Sequence, residues 1–289
     1  MRLRPAVMHD AESASTRHLS LFSLIGVVKW LFERIITYKR RTEGRMRSLY
    51  DSVENILLSH SEPSIALAAL RTRASLTSLL NFLRTDSTAL DVVASRSYRH
   101  RNGFDKIVLA APEESLLKLV LHVWPKDSLE SSVNIHNHRC DFSSVVLCGA
   151  LQLEFYDRSA RGKHYSVMRY QPMSGMGNFQ LCPHGAMTVS SHASVTMARG
   201  STYSWACNRL HRAWGLPGQV TATLIVQGPP TRASTTVLVC QDDTHRLDGP
   251  QRLYRLQSDE VSSTLAVLTK DHIQRAWSLD ACQNPGYVP

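Results

Sequence analysis

The 289-residue sequence lacks the C-x-x-C pairs, long apolar runs and glycine-rich phosphate motifs that mark several large classes of protein. Neither G-x-G-x-x-G nor G-x4-G-K-[ST] occurs, so nothing indicates a bound nucleotide cofactor. A chain of this size needs no disulfide framework, which favours free thiols and a cytoplasmic protein. Its six scattered cysteines are Cys140, Cys148, Cys182, Cys207, Cys240 and Cys282.

Positive charge is concentrated at the N-terminal end. The formal net charge is +9, and residues 1–50 alone contain ten Lys and Arg against four Asp and Glu. The remaining chain is therefore close to neutral, and it shows neither zinc-finger spacing nor a basic stripe interleaved with aromatic residues. This distribution predicts a basic tail or surface helix and no nucleic-acid partner.

The most apolar stretch is the ten-residue run 19–28, followed at once by Lys29. A spanning helix needs about 20 apolar residues, and a signal peptide needs a small-residue cleavage site that is missing here. We therefore predict an amphipathic helix over residues 19–38. It either packs on the rest of the protein or, as the alternative, contacts a membrane surface.

Hydrophobic periodicity divides the chain into four parts. Residues 1–18 are polar and predicted to be disordered, and residues 19–95 show helical periodicity with a break near 61–63. Residues 96–245 contain many short strand-like segments, which predict a β-sandwich or barrel. Residues 246–289 are predicted to form a flank with a helix from about Ser258 to Ala276. The predicted strands are Lys106–Ala110, Leu116–Trp124, Ser144–Cys148, Leu151–Tyr156, Tyr165–Tyr170, Ser194–Ala198 and Thr221–Val226.

Two histidines separated by one residue, His136 and His138, are the first candidate metal ligands. Side chains alternate along a strand, so both imidazoles would lie on one face and reach one ion. Such pairs also occur on protein surfaces. A second stretch strengthens the metal hypothesis, because His211 follows Gly200 at an interval of eleven residues.

Together these stretches resemble the cupin family, whose two motifs read G-x5-H-x-H-x3–4-E-x6-G and G-x5-P-x-G-x2-H-x3-N. His136, His138 and Gly149 match the first motif, and Gly200 and His211 match the second with every interval kept. The resemblance implies a mainly β fold. Specifically, it implies a cupin-type jelly-roll β-barrel, here with a helical N-terminal extension and a short C-terminal helix.

The metal-binding glutamate of the first motif is missing, since its place falls on Phe142 or Ser143. A site of three histidines resembles the cysteine dioxygenase-like branch of cupins, as do the local sequences N-I-H-x-H and L-H-R. That branch implies Fe(II), although Ni, Mn, Cu and Zn also accept imidazole. The thiol-specific residues of that branch are absent, because Ser143 replaces a cysteine and no Ser-x-His-x-Tyr run follows. We therefore expect a different substrate.

Six further side chains are candidates for binding substrate or assisting the reaction. The resemblance suggests that Arg99 or Arg101 grips a carboxylate, a task that suits a guanidinium, although both also fit a solvated loop. Tyr156 and Tyr203 are the catalytic candidates, with a structural role as the alternative for each. The candidates for lining an apolar substrate pocket are Phe142 and Trp214.

The resulting hypothesis is a mononuclear non-haem oxygenase or dioxygenase that holds one divalent metal, with Fe(II) favoured. Its partners would be O₂ and a small molecule, carboxylate-bearing molecules being among the candidates. Two alternatives stay open because cupins host many functions. One is a metal-dependent isomerase, lyase or hydrolase that uses the ion as a Lewis acid. The other is a non-catalytic, ligand-binding cupin.

Overall fold

The computed structural model describes residues 34, 44, 47–128, 133–173, 178–240 and 250–269. The chain divides into two compact units, residues 1–45 and 46–289. Nearly all of the first unit lies outside the described residues. That includes the predicted tail over 1–18 and, apart from the helical Arg34, the predicted helix over 19–38. The four-part division of the chain stays a prediction, and the description below concerns the second unit.

Five helical segments are described in this unit, and side chains cap several of them. Ser75 and Asp86 accept hydrogen bonds from the backbone amides of Ser78 and Ala89, which satisfies amides at two helix starts. Among the described residues, no helix is both long and apolar enough to cross a membrane. The segments are α1 (47–59), α2 (Pro63–Arg73), α3 (Leu76–Thr85), α4 (Ser87–Arg96) and α5 (Ser258–Leu268).

The described strands form two antiparallel sheets. One sheet has the order β13-β1-β2-β3-β10-β5-β8 and the other the order β11-β4-β9-β6-β7-β12, with β11 also pairing with β6. The strands are β1 (Tyr98–His100), β2 (Phe104–Ala110), β3 (Lys118–Trp124), β4 (Ile135–His136), β5 (Phe142–Cys148), β6 (Ala150–Pro172), β7 (Asn178–Ala198), β8 (Thr202–Trp205), β9 (Leu210–Gly215), β10 (Thr221–Gln227), β11 (Thr235–Val239), β12 (Pro250–Arg252) and β13 (Tyr254–Arg255).

The order of the central strands is that of a jelly roll. From β3 to β10 the chain changes sheet at each connection, except at the β6–β7 hairpin. The result is one four-stranded layer, β3-β10-β5-β8, opposite a second, β4-β9-β6-β7. This is the double Greek-key arrangement of jelly rolls, the architecture that cupins use. The predicted fold class is confirmed.

Alternation along β3 shows how the sheets and helices are layered. Leu119, Leu121 and Val123 belong to the large core that the sheet shares with the helices. The intervening side chains His122 and Trp124 line a cavity on the opposite face. The helices therefore cover the outer face of the seven-stranded sheet, and its inner face is available for a binding site.

The long β6–β7 hairpin contains a departure from the sequence-based strands. The predicted strands Leu151–Tyr156 and Tyr165–Tyr170 are both parts of β6. Between them the register shifts, because Arg158 and Lys163 both face Val189 and the intervening residues bulge out. A bulge exposes polar residues without ending the strand. The polar residues between the two predicted segments were therefore wrongly interpreted as a break between two strands. The five cysteines within the described residues are free thiols.

Candidate metal centre

His136, His138 and His211 converge in the barrel, with one ligand atom of each within 4.8 Å of the others. His136 ends β4 and lies directly opposite His211 on β9. The Nε2 atoms of His138 and His211 are 3.2 Å apart. Imidazole nitrogens lie about 2 Å from a bound transition metal, so two nitrogens at right angles around one ion are about 3 Å apart. The spacing of this pair fits one shared ion.

The loop between the first two histidines is held in place by the buried Asn137. Its amide donates to the Thr236 carbonyl at 3.1 Å, and its side-chain oxygen accepts from the Thr236 amide at 2.7 Å. The His138 amide donates to the Cys207 carbonyl at 2.9 Å. Strand β4 has already ended at His136, so these contacts, and not strand alternation, turn His138 toward the other two imidazoles.

Backbone carbonyls orient two of the three imidazoles. His136 Nδ1 lies 2.9 Å from the Asn134 carbonyl, and His211 Nδ1 lies 3.1 Å from the Arg209 carbonyl. A carbonyl only accepts, so each Nδ1 carries the proton and each Nε2 is left with its lone pair. Metal-binding histidines in proteins are held in this way. The donor set therefore fits a divalent transition metal that accepts imidazole.

Burial keeps the three imidazoles neutral. It lowers the pKa of His136, and it lowers that of His211 to about 3. The pKa of His138 falls well below its ordinary value, first through burial and then through the neighbouring His211 and His136. A metal binds only the deprotonated nitrogen, so these groups need not lose a proton to solvent at neutral pH.

The position of the missing glutamate is filled by an aromatic ring. Phe142 is buried, and its ring lies edge-on to the His138 ring with centroids 5.0 Å apart. The adjacent Asp141 is exposed and accepts a hydrogen bond from the Cys207 amide at 2.7 Å. Among the described residues, the metal-ligand cluster contains these three histidines and no carboxylate.

A cavity of about 430 Å³ adjoins the three histidines, and eight of the described side chains that line it are Phe, Trp or Tyr. The Trp205 ring centroid lies 4.6 Å from that of His211 and 4.7 Å from that of Tyr203. Burial raises the pKa of the Tyr203 phenol to about 12, although the hydroxyls of Ser144 and Thr223 act in the opposite direction. The phenol therefore keeps its proton at neutral pH.

The two arginine candidates have different surroundings. Arg99 is half exposed, and it forms ion pairs with Asp105 at 2.9 Å and Glu260 at 3.6 Å. It does not line the cavity. Arg101 does line it, and its Nη1 donates to Gln251 Oε1 at 3.2 Å.

The aromatic candidates divide in the same way. Phe142 and Tyr203 line the cavity, whereas Tyr156 and Trp214 do not. The Tyr156 hydroxyl donates to Glu154 Oε2 at 2.6 Å, and burial together with this bond raises its pKa. Trp214 is buried on the face of β9 opposite to His211, under the Arg212 guanidinium 5.0 Å from its ring centroid.

Trp205, Lys106 and Asn102 are among the cavity residues that were not predicted from the sequence. Trp205 could have been found, because it alternates with Tyr203 along Ser-Thr-Tyr-Ser-Trp and so shares its face. Lys106 shares a face with Phe104 in the same way. Asn102, which is buried with its Nδ2 3.3 Å from His136 Nδ1, follows no periodic pattern that would reveal it.

Comparison with known proteins gives structural likenesses only. No family model and no curated protein matches the sequence. KdgF from Halomonas sp. matches over 46% of this chain and 86% of its own, at 11% identity and a TM-score of 0.27. An oxalate oxidase matches over 60% and 74%, at 10% identity and a TM-score of 0.29.

The hydroquinone 1,2-dioxygenase PnpCD, solved with Cd²⁺ and 4-hydroxybenzonitrile, matches over 49% of this chain and 74% of its own. Its identity is 14% and its TM-score 0.28. Three further structures are matched over 52%, 53% and 55% of their own length. These scores are too low to carry an argument about activity, so the jelly-roll assignment stands on the strand order described above.

Proposed function

We propose that the protein is a mononuclear non-haem metal oxygenase that uses Fe(II) and O₂ on a small organic molecule. The observation that carries the proposal is the convergence of three neutral imidazoles at the wall of a cavity, with no carboxylate among the described residues of the ligand cluster. When bound by these nitrogens, Fe(II) supplies open coordination positions for dioxygen and substrate. The histidines hold the ion through nitrogens that the Asn134 and Arg209 carbonyls leave free of protons.

The surrounding side chains prepare the cavity for a substrate. Phe142 and Trp205 contact the His138 and His211 rings and exclude water from that side of the site. The Tyr203 phenol holds its proton at Oη and can donate a hydrogen bond to an oxygen atom of a bound molecule.

The other candidates divide by position. Arg101 lines the cavity at an exposed position, where its charge can attract an anionic molecule. Arg99, Tyr156 and Trp214 lie outside the cavity and have no part in the proposal.

Metal content measured on protein purified without oxygen tests the first half of the proposal. We expect about one iron per chain, lost in His136→Ala. The matched control is His192→Ala, which removes an exposed histidine that pairs with Asp157 outside the cavity. Iron that persists in His136→Ala would contradict the assignment of ligands.

Oxygen uptake by the iron-loaded protein tests the second half. Each compound in a panel of small organic acids and neutral aromatic compounds is added in turn. We expect at least one of them to cause O₂ uptake by the wild-type protein and none by His136→Ala. Bound metal without oxygen uptake would favour an isomerase or lyase that uses the ion as a Lewis acid. Absence of metal in both proteins would leave a ligand-binding module.

A further inference from the structure

The charged side chains that line the cavity, among the described residues, are all basic. Within the described part of the chain, no Asp or Glu lines the cavity, whereas four basic residues do. Such a wall attracts an anion and disfavours a cation. The four basic residues are Arg101, Lys106, Lys118 and Arg139.

Lys106 on β2 and Lys118 on β3 both lie on the inner face of the seven-stranded sheet, but Lys118 is exposed at the start of its strand and Lys106 is partly buried. Lys106 lies directly opposite the cavity residue His122 on β3. Its ammonium donates to the neutral Gln227 Oε1 at 3.0 Å and lies 5.9 Å from the Tyr98 ring centroid. Among the described residues it has no carboxylate partner. A partly buried ammonium with only neutral neighbours is incompletely compensated, and an anionic ligand would offset this cost.

The neighbouring Arg99, unlike Lys106, has carboxylate partners. It lies one strand away on β1, and its guanidinium is matched by both Asp105 and Glu260. The fold thus neutralises the outward-facing cation and leaves the inward-facing one with neutral partners.

Lys106 also reaches toward the three histidines. Its partner Gln227 lies directly opposite Phe142 in the β10–β5 pair. Phe142 in turn packs against the His138 ring, 5.0 Å between centroids. Because Lys106, Phe142 and the three histidines line the same cavity, a ligand whose anionic end contacts Lys106 can place its other end beside Phe142 and the metal-binding nitrogens.

Pairs of aromatic rings form part of the cavity wall near Lys106 and Phe142. The His100 and Phe104 rings stack with centroids 4.4 Å apart, and Tyr203 and Trp205 form a second aromatic pair across the cavity. Such walls favour a flat or cyclic apolar body, and about 430 Å³ has room for one ring with short substituents.

We propose that Lys106 is the anion-binding residue of the cavity and that the substrate is an organic carboxylate with a cyclic, largely apolar body. The inference rests on the proposed function, because it names the substrate class of the same site. In this proposal Lys106 binds the substrate. Its ammonium orients the carboxylate, so that the ring of the substrate faces the histidines.

Binding to the metal-free protein tests this inference without iron or oxygen. Benzoate and cyclohexanecarboxylate are the carboxylate probes, and benzamide is the neutral match for benzoate. Trp124 and Trp205 line the cavity, so their fluorescence reports occupancy. We expect benzoate to bind wild type at least about tenfold more tightly than benzamide, since a charge-assisted bond is replaced by a neutral one.

Substitutions at three lysines test whether Lys106 causes the preference for benzoate over benzamide. Lys106→Met should bind benzoate about tenfold more weakly or worse and leave benzamide unchanged, while Lys106→Arg keeps most of the preference. Lys163→Met, an exposed lysine outside the cavity, controls for net charge. Lys118→Met, at an exposed position of the cavity wall, should keep the preference. Circular dichroism verifies that each variant is folded.

Several outcomes would overturn the inference. They are equal affinity for benzoate and benzamide, a preference kept by folded Lys106→Met, a preference lost in Lys118→Met, or no saturable binding of any probe up to about 10 mM. Failure of the oxygenase proposal gives a different pattern. In that case the protein binds no iron or consumes no O₂, while the Lys106-dependent preference persists.

Discussion

His136 lies directly opposite His211 in the β4–β9 pair, and His211 Nε2 lies 3.2 Å from His138 Nε2, a partner 73 residues away along the chain. The histidine pair and the third histidine thus meet only when both halves of the barrel have folded. A metal bound by all three nitrogens links these halves directly. Because the unfolded chain does not hold the nitrogens together, metal binding should stabilise the folded state.

Loss of the His211 imidazole should abolish stabilisation by metal. At a free metal concentration of about 100 times Kd, binding contributes about 2.7 kcal/mol, or a rise in Tm of roughly 5 °C for a domain of this size. We expect this rise in wild type and in the exposed His192→Ala control, and no rise in His211→Ala. Differential scanning calorimetry with and without added metal provides the measurement. An equal rise in His211→Ala would show that the ion binds elsewhere.

Asn102 should support metal binding without touching the ion. It is buried, and its Oδ1 accepts a hydrogen bond from the Asn134 backbone amide at 3.5 Å. Its Nδ2 lies 3.3 Å from His136 Nδ1 but forms no hydrogen bond there, because both nitrogens carry protons. Asn134 supplies the carbonyl that orients His136, so Asn102→Ala loosens the residue that holds that ring. Removal of such outer partners typically lowers metal affinity about 10- to 100-fold. Competition with a chelating dye measures the affinity.

The matched control for that experiment is Asn55→Ala, on the exposed face of α1. It should bind metal like wild type. Wild-type affinity in Asn102→Ala would mean that the Asn134 carbonyl alone orients the imidazole.

The stability of the metal-free protein should fall as the pH falls from neutral. Burial lowers the pKa of His100 and of His211 to about 3, whereas an unfolded histidine titrates near 6.5. Between about pH 6.5 and pH 3 the unfolded chain therefore binds protons that the folded chain excludes. The free energy of unfolding decreases through this window by up to about 1.4 kcal/mol per pH unit for each such histidine.

Urea unfolding of the metal-free protein at about pH 7, 5.5 and 4.5 measures this slope. His100→Phe keeps a ring stacked on Phe104 and removes one titrating group, so its slope should be smaller. His164→Phe, at an exposed position on β6, should keep the wild-type slope. A wild-type stability that does not change over this range would contradict the expected protonation behaviour.

The three metal-ligand candidates could be found from the sequence because their spacing is local: two histidines one residue apart, and a third at a fixed interval from Gly200. The orientation of His138 could not be predicted, since it depends on Asn137 binding Thr236 from a distant strand. Seven strand segments were predicted from their β-rich composition and the turn residues between them, and each overlaps an observed strand, whereas β8 and β9, which carry Tyr203 and His211, were not predicted. The strands alone predicted a sandwich or barrel, and the jelly roll was expected from the resemblance of the two motifs to cupins.

The surroundings of the histidines depend on pairing between strands, which periodicity does not report. Arg99 and Arg101 are separated by one residue, so alternation along a strand would give both the same surroundings. Glu260 from the distant α5 nevertheless forms an ion pair with Arg99 and not with Arg101. Lys106 is an ordinary lysine in a strand until its register opposite His122 places it on the cavity wall. Both distinctions are tertiary, and a single sequence contains no local signal for them.

Two glycines of the cupin-like motifs should differ in their tolerance of a side chain. Gly149 and Gly200 both have positive φ, +67° and +87°. A Cβ on Gly149 would collide with Thr221 Oγ1 and lie 2.5 Å from the Val220 carbonyl oxygen, whereas a Cβ on Gly200 would meet nothing within 4 Å. Gly200→Ala should therefore cost only the backbone strain of about 1 kcal/mol.

Gly149→Ala adds overpacking against backbone that cannot move aside, for a total of about 3 kcal/mol. Urea unfolding of both variants beside wild type measures the two costs, and the strain common to both cancels in their difference. Equal losses of stability would mean that the connection between β5 and β6 moves away from β10. In that case Gly149 is required for its backbone conformation alone, and the close approach of Thr221 is not a constraint on the barrel.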